Sequence, residues 1–356
     1  MSGRGDRRMQ RNNLRCLAFA FCLGLLGLAP GAQARDLTVA LQSGIGLGSA
    51  AALRAVYLDP FKANFPQLAV TSWAGGLDAL RAGASGWDVV ETDAGTLRAG
   101  CADGLLEKLP WGEPPLAGLR DKMLPQGVTE CGLGVLMHAT VLAWDRGKVQ
   151  GSPSWADFWD VVKVPGKRAL QAGARGNLEF ALLADGVLPA DVYRTLNTPA
   201  GVERALRKLL QLRPYLVWWR TPEEALHILQ SGEALMASMP APLVVSANLQ
   251  GGQLAMQPSG GLVEIQYFAI AKDSPNKAEA LKLLAFAADP ARQAMLPEQG
   301  AWGGLAKGAN DKLPADQLAR SPSSAAALAA EVVLDAGFWR DNDEKLTARL
   351  DAMVAR

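Results

Sequence analysis

Short apolar runs alternate with amphipathic stretches along nearly the whole chain. "DLTVAL" (36–41) predicts a strand and "SAAALRAVYLDPFKANF" (49–65) a helix. The alternation repeats with "LAVTSW", "GLDALRAGA", "WDVVET" and "AGTLRAGCADG". A long apolar strand over 133–144 then runs into the polar turn "DRGKVQGSPS", and Ser154 stands where a helix N-cap belongs, before "WADFWD". A second alternating set follows: "KRALQA", "NLEFALLADG", "PAGVERALRKLLQL", "YLVWW", "PEEALHILQSG" and "ALMASM". Another long strand, 262–272, leads into the helix "NKAEALKLLAFAAD", and an alanine-rich helical tail covers 323–355. Strands alternating with helices predict an α/β architecture with mostly parallel sheets. Strands of ten residues or more are unusual in such sheets, and two of them crossing between two lobes would form a hinge.

The first 34 residues do not fit this pattern. Arg4, Arg7, Arg8, Arg11 and Arg15 precede the apolar run "CLAFAFCLGLLGLA", and small residues at Ala32 and Ala34 follow. That order reads as a signal peptide cleaved after Ala34; the run is shorter than the ~20 residues of a membrane span. The alternative is an uncleaved anchor. With the leader go five of the 36 basic residues and one of the 35 acidic ones, which leaves a mature net charge of −3. A slightly acidic chain without basic clusters offers nothing to nucleic acid.

Two of the four cysteines remain after cleavage, Cys101 and Cys131. In an exported chain they read as one disulfide, and two buried thiols are the alternative. With His138 and His227 they show no metal-ligand spacing, and neither a metal nor a cofactor is implied. The glycines of "LQSGIGLGSA" follow a strand and precede a helix, as in a nucleotide loop. However, Ser49 occupies the place of the third dinucleotide-loop glycine, and no Gly-Lys-Ser/Thr follows. The chain has no Gly-x-Ser-x-Gly elbow, and Glu91 and Asp93, two apart on a strand, point the same way rather than across a substrate. An enzyme is therefore disfavoured.

The ordered pieces "WDVVETDAGTL", "GCADGLLEKL", "ECGLG", "PSWADFWD", "PGKRAL", "NLEFALLADGV", "VWW", "QSGEALM", "YFAIAKDSPNKAEALKLLAFAADP" and "GAWGG" resemble the periplasmic solute-binding proteins of ABC importers, specifically the spermidine/putrescine-binding family. The resemblance covers nearly all of the mature chain. It implies the type II periplasmic binding fold: two α/β lobes with mostly parallel sheets, joined by two strands, that close over a small solute. It also implies a monomer that hands the solute to the permease of an importer in the inner membrane, and the "GC…ECG" pair supports the disulfide. Residues 35–144 with about 267–320 form lobe 1 on this reading, and residues 145–266 with about 321–356 form lobe 2. The glycine-rich turn at Ser43 and Gly44 becomes the lip of the cleft.

A polyamine site needs acids for ammonium groups and aromatic faces for methylenes. Carried across position by position, the family's ligand set is mostly replaced. Ser43 stands for an aromatic, Asp93 for a polar contact, Gly173 and Gly176 for two acids, and Pro240 for a tryptophan. Glu264 stands for a tryptophan, Gln266 for an aspartate, Ala301 for a tyrosine, and the tail's polar contact falls near Arg340. The remaining candidates for holding an amine are Glu91, Asp93 and Glu264; Trp218, Trp219 and Trp302 are candidate replacement rings. Arg175 and Arg340 would suit a carboxylate or phosphonate. The expectation is a polyamine-like amine, with a zwitterionic amino acid or aminophosphonate as the alternative ligand and a ligand-presenting sensor as the alternative role. Each residue also has a plain structural reading: Asp93 as a helix cap, Arg175 in a surface ion pair, one of Trp218 and Trp219 in the core.

Overall fold

A computed structural model describes residues 35–43, 48–83 and 86–355. The leader and the lip glycine Gly44 lie outside the described residues. Strands β1 (Leu37–Gln42), β2 (Leu68–Trp73) and β3 (Val89–Asp93) come first, then β4 (Gly132–Asp145). β5 (Arg168–Gln171), β6 (Leu216–Trp219) and β7 (Met236–Pro240) follow, and β8 (Leu254–Ile270) and β9 (Val332–Val333) complete the set. Hydrogen bonding orders them β2-β1-β3-β8-β4-β7-β5-β6, with β9 alongside β8.

The fold is the two-lobed type II arrangement. Three parallel strands, β2-β1-β3, lie at one end and the parallel set around β5 at the other. Between them β4 and β8 run antiparallel along their whole length, joining both sets into one hydrogen-bonded ladder. The buried cores divide on these two strands. Leu133 to Val141 and Val263 to Ile270 belong to the first core, whereas Leu142, Trp144 and Leu262 belong to the second.

Two elements differ from the sequence-based expectation. β8 begins at Leu254, not at 262, because Pro258 to Gly261 are accommodated as an irregularity opposite Val141. Gly260 takes φ +78 there, and a Cβ would stand 2.8 Å from the Trp155 ring. The tail is not continuously helical. A short helix, Ala325–Ala330, gives way to β9, and only then does the helix Ala336–Val354 begin, capped by Asp335. Phe338, Trp339, Leu346 and Leu350 bury this helix against the second core.

Cys101, in the helix Ala94–Ala102, is disulfide-bonded to Cys131, just before β4, with their Cα atoms 5.8 Å apart. Among the described residues no helix is long and apolar enough to cross a membrane, and no cluster of potential metal ligands occurs.

Candidate functional site

A cleft of about 630 Å³ lies where the ends of β3 and β5 face one another across β8. Strand ends are where open α/β sheets leave room for ligands. Asp93, Arg175, Glu264 and Arg340, all singled out from the sequence, line it together. Arg98, Gln126, Tyr267 and Asp335 line it as well, and sequence reasoning missed them. Arg98 gives no local signal: it is one exposed cation on a short helix.

Among the described residues six charged groups face the cleft, and four are already engaged. Asp93 Oδ1 accepts the backbone N–H of Gly95 (2.8 Å) and of Thr96 (3.0 Å), and its Oδ2 accepts the Thr96 hydroxyl (2.8 Å). It is the N-cap of the helix Ala94–Ala102. Asp335 caps the tail helix through Gly337 and Phe338. Arg175 pairs with Asp343 at 3.0 Å, and Arg340 donates twice to Asp341, at 2.7 and 2.9 Å. Arg98 and Glu264 are left. Neither makes a side-chain hydrogen bond or an ion pair among the described residues. Arg98 reaches the first turn of the tail helix, where a Cβ on Gly337 would stand 2.7 Å from its Nη1.

Alternation along β8 explains the position of Glu264. It stands opposite His138 on β4, with Gln266 two residues on, opposite Leu136 and beside Asp93. Gln266 is buried, and its Oε1 has no partner. His138 is buried too, with Nδ1 unpartnered; burial pushes its imidazole pKa below the usual value, against the pull of the Glu264 charge. At the turn after β5, Gly173 and Gly176 adopt φ of +110 and +80. Few L side chains take such angles, so the two acids of the polyamine-binding pattern have no ready place on this backbone.

The remaining candidates lie elsewhere. Glu91 is fully buried, its Oε2 accepts the backbone N–H of Gln42 at 3.0 Å, and burial raises its carboxyl to about 7. It sits under the end of β1, not on the cleft wall. Ser43 is exposed and donates to the Trp73 carbonyl at 2.8 Å. Trp218 packs on the second core and Trp219 is buried in a third, so alternation separates them as expected, but neither lines the cleft. Trp302 is 1% exposed and packs edge-on to His138. Trp219 and Trp302 are therefore core residues, and Trp218 is half-buried against the second core. Alternation tells which side chains share a sheet face, not which face is covered.

The fold and the cleft are those of a binding protein, and the chain belongs to the family described as bacterial extracellular solute-binding protein, whose model matches residues 70–326. Among curated proteins it is 37% identical to the gamma-aminobutyric acid-binding protein of Pseudomonas aeruginosa, over 94% of this chain and 96% of that one. Among solved structures it resembles an ABC transporter substrate-binding protein from Bradyrhizobium japonicum (28% identity, 89% of this chain and 98% of that one, TM-score 0.78). It also resembles AgtB of Agrobacterium tumefaciens in complex with agropinic acid (27% identity, 91% and 99% covered, TM-score 0.71). A spermidine/putrescine-binding protein from Streptococcus pneumoniae shares the fold at 14% identity, with a TM-score of 0.71. The resemblance to solute-binding proteins stands at family level; these relatives do not single out the narrower polyamine-binding branch.

Proposed function

We propose that the chain captures a small zwitterionic solute of the γ-aminobutyrate type in the periplasm and delivers it to an ABC importer. The observation that carries this reading is the pair of groups left unengaged in the cleft, one carboxylate (Glu264) and one guanidinium (Arg98). A ligand with one ammonium and one carboxylate complements both. A diamine would find one such acid and three arginines around it. The relative at 37% identity, named for γ-aminobutyric acid, supports the same class. Rotation of the lobes about β4 and β8 would close the cleft and strengthen both charge-assisted contacts by excluding water. The arginine-rich leader supports export and cleavage after Ala34, and docking of the closed monomer on a permease follows from the importer reading.

The test is calorimetric titration of residues 35–356, refolded with the disulfide intact. γ-Aminobutyrate is expected to bind, and at a hundredfold excess over Kd to stabilise the protein by ~2.7 kcal/mol. Putrescine and spermidine are expected not to bind. Binding of putrescine alone would overturn the proposal.

A further inference from the structure

This inference rests on the zwitterion reading and assigns the two ends of the solute. Adjoining the wide cleft is a much smaller hollow of about 20 Å³, lined by Thr140, Gln171, Arg175, Asn177, Ser238 and Glu264 among others. Arg175 and Glu264 line both spaces. A hollow of that size holds one water-sized group. A primary ammonium head fits it, and a trimethylammonium does not.

The sheet register builds the hollow. Thr140 stands opposite Leu262 on β8 and Pro240 on β7, and Leu142 stands opposite Ser238. Directly opposed residues share a sheet face, as do residues two apart. Ser238, Thr140 and Glu264 therefore rise from one face where the lobes meet. Asn177, the first residue of the helix after β5, closes the hollow from the side.

The lining is rich in acceptors. Asn177 and Ser238 are each 1% exposed. The Asn177 amide nitrogen donates to the carbonyls of Gln171 and Gly173, both at 2.6 Å, which leaves Oδ1 as its free end. Neither that oxygen nor Ser238 Oγ has a partner among the described residues. Glu264 adds a carboxylate. Among the described residues the one cation at the hollow, Arg175, is held by Asp343. An ammonium offers three donors and no acceptor, whereas a carboxylate offers acceptors only. Asn177 Oδ1 and the Glu264 carboxylate suit the first and repel the second, and the Ser238 hydroxyl can accept from the ammonium.

We propose that this hollow is the seat of the solute's ammonium group, that it restricts ligands to primary amines, and that the carboxylate end points into the wide cleft towards Arg98. The test uses calorimetry with three probes of equal carbon-chain length: γ-aminobutyrate, its N,N,N-trimethylated analogue and butanoate. The analogue and butanoate are expected to bind on the order of 100-fold more weakly than the parent. Glu264→Gln, and Ser238→Val, which fills the hollow, are expected to weaken γ-aminobutyrate on the order of 10- to 100-fold. Arg98→Ala is expected to lower affinity while keeping the preference for the primary amine. If the native protein binds γ-aminobutyrate and its trimethylated analogue about equally, the ammonium seat is overturned and the zwitterion reading survives. That comparison needs no variant, so it decides even if a substituted chain fails to fold. If the native protein binds no amino acid, the zwitterion reading falls and this inference with it.

Discussion

Two strand-to-helix turns face each other across the cleft, and they are built differently. In the first, β3 ends at Asp93, whose carboxylate caps the helix Ala94–Ala102 and also takes the Thr96 hydroxyl. In the second, β5 passes through Gly173 and Gly176 into the helix Asn177–Ala184, which has no side-chain cap. Asn177 turns back to hold the loop, and its Oδ1 stays free. The first turn satisfies its own polar groups; the second keeps an acceptor directed into the hollow. A polar residue at a strand end is thus a ligand candidate only when the local backbone has not already claimed it.

The two helices are also anchored differently. The disulfide from Cys101 to Cys131 ties the first to the start of β4. The second is buried along nearly its full length, and Glu179 joins it to the tail. Glu179 Oε1 accepts the Tyr193 hydroxyl and the Trp339 indole N–H, both at 2.6 Å. One anchor is covalent, and the other is a carboxylate inside an aromatic cluster.

The largest effect is expected from removing the covalent anchor. Replacing both Cys101 and Cys131 by serine releases a closed loop with a sequence separation of 30, worth about 3.5 kcal/mol in the chain-entropy account. Urea unfolding of the double variant would measure it. An unchanged midpoint would mean that the buried side of the helix, not the disulfide, holds the first turn.

Glu179→Ala comes next, at about 2 kcal/mol, because it leaves the Tyr193 hydroxyl without an acceptor and the Trp339 indole N–H with only the Tyr193 oxygen, 3.0 Å away. A pH series sharpens the point. Burial raises the Glu179 carboxyl to about 7, above its value of 4.5 in an unfolded chain. Between those values the folded state keeps a proton that the unfolded state has lost, so the contribution of Glu179 to stability falls as pH rises towards 7 and is flat beyond. Glu179→Gln is expected to lessen the measured slope over that range, leaving the share of Glu91, whose carboxyl burial also raises to about 7. A slope identical to that of the native protein would remove Glu179 as its source.

Much of this layout was legible in the sequence because two periods encode it. Alternation at two residues located the strands and put Glu264 and Gln266 on one face. The misses have physical causes. Two residues of β9 are too few to show a period, and the turn-like "PSGG" concealed the first half of β8. Trp219 and Trp302 carried no mark of being covered, since coverage comes from distant segments. The pairing of Arg175 with Asp343 joins residues 168 apart, so no local pattern could show that Arg175 was engaged and Arg98 was not. The polyamine expectation came from the order of the scaffold motifs, whereas specificity lies in the few positions where this chain departs from them.

The smallest effect tests the comparison most directly. Asp93 lines the cleft, so a ligand role and a capping role both place it where it is. They differ in which measurement moves. As a cap, Asp93 gives its acceptors to Gly95, Thr96 and the Thr96 hydroxyl, and Asp93→Ala costs about 1 kcal/mol of stability. γ-Aminobutyrate affinity then stays close to native, because the helix still reaches Arg98 into the cleft. Asp93→Asn, which retains an accepting oxygen, recovers most of the loss. As a contact to the solute's ammonium, the carboxylate charge would matter more than the oxygen, and both variants would lose affinity on the order of tenfold or more. Unfolding and titration of the two variants separate these outcomes. A large loss of affinity in Asp93→Asn with native stability would move the ammonium from the Glu264 hollow to the first turn.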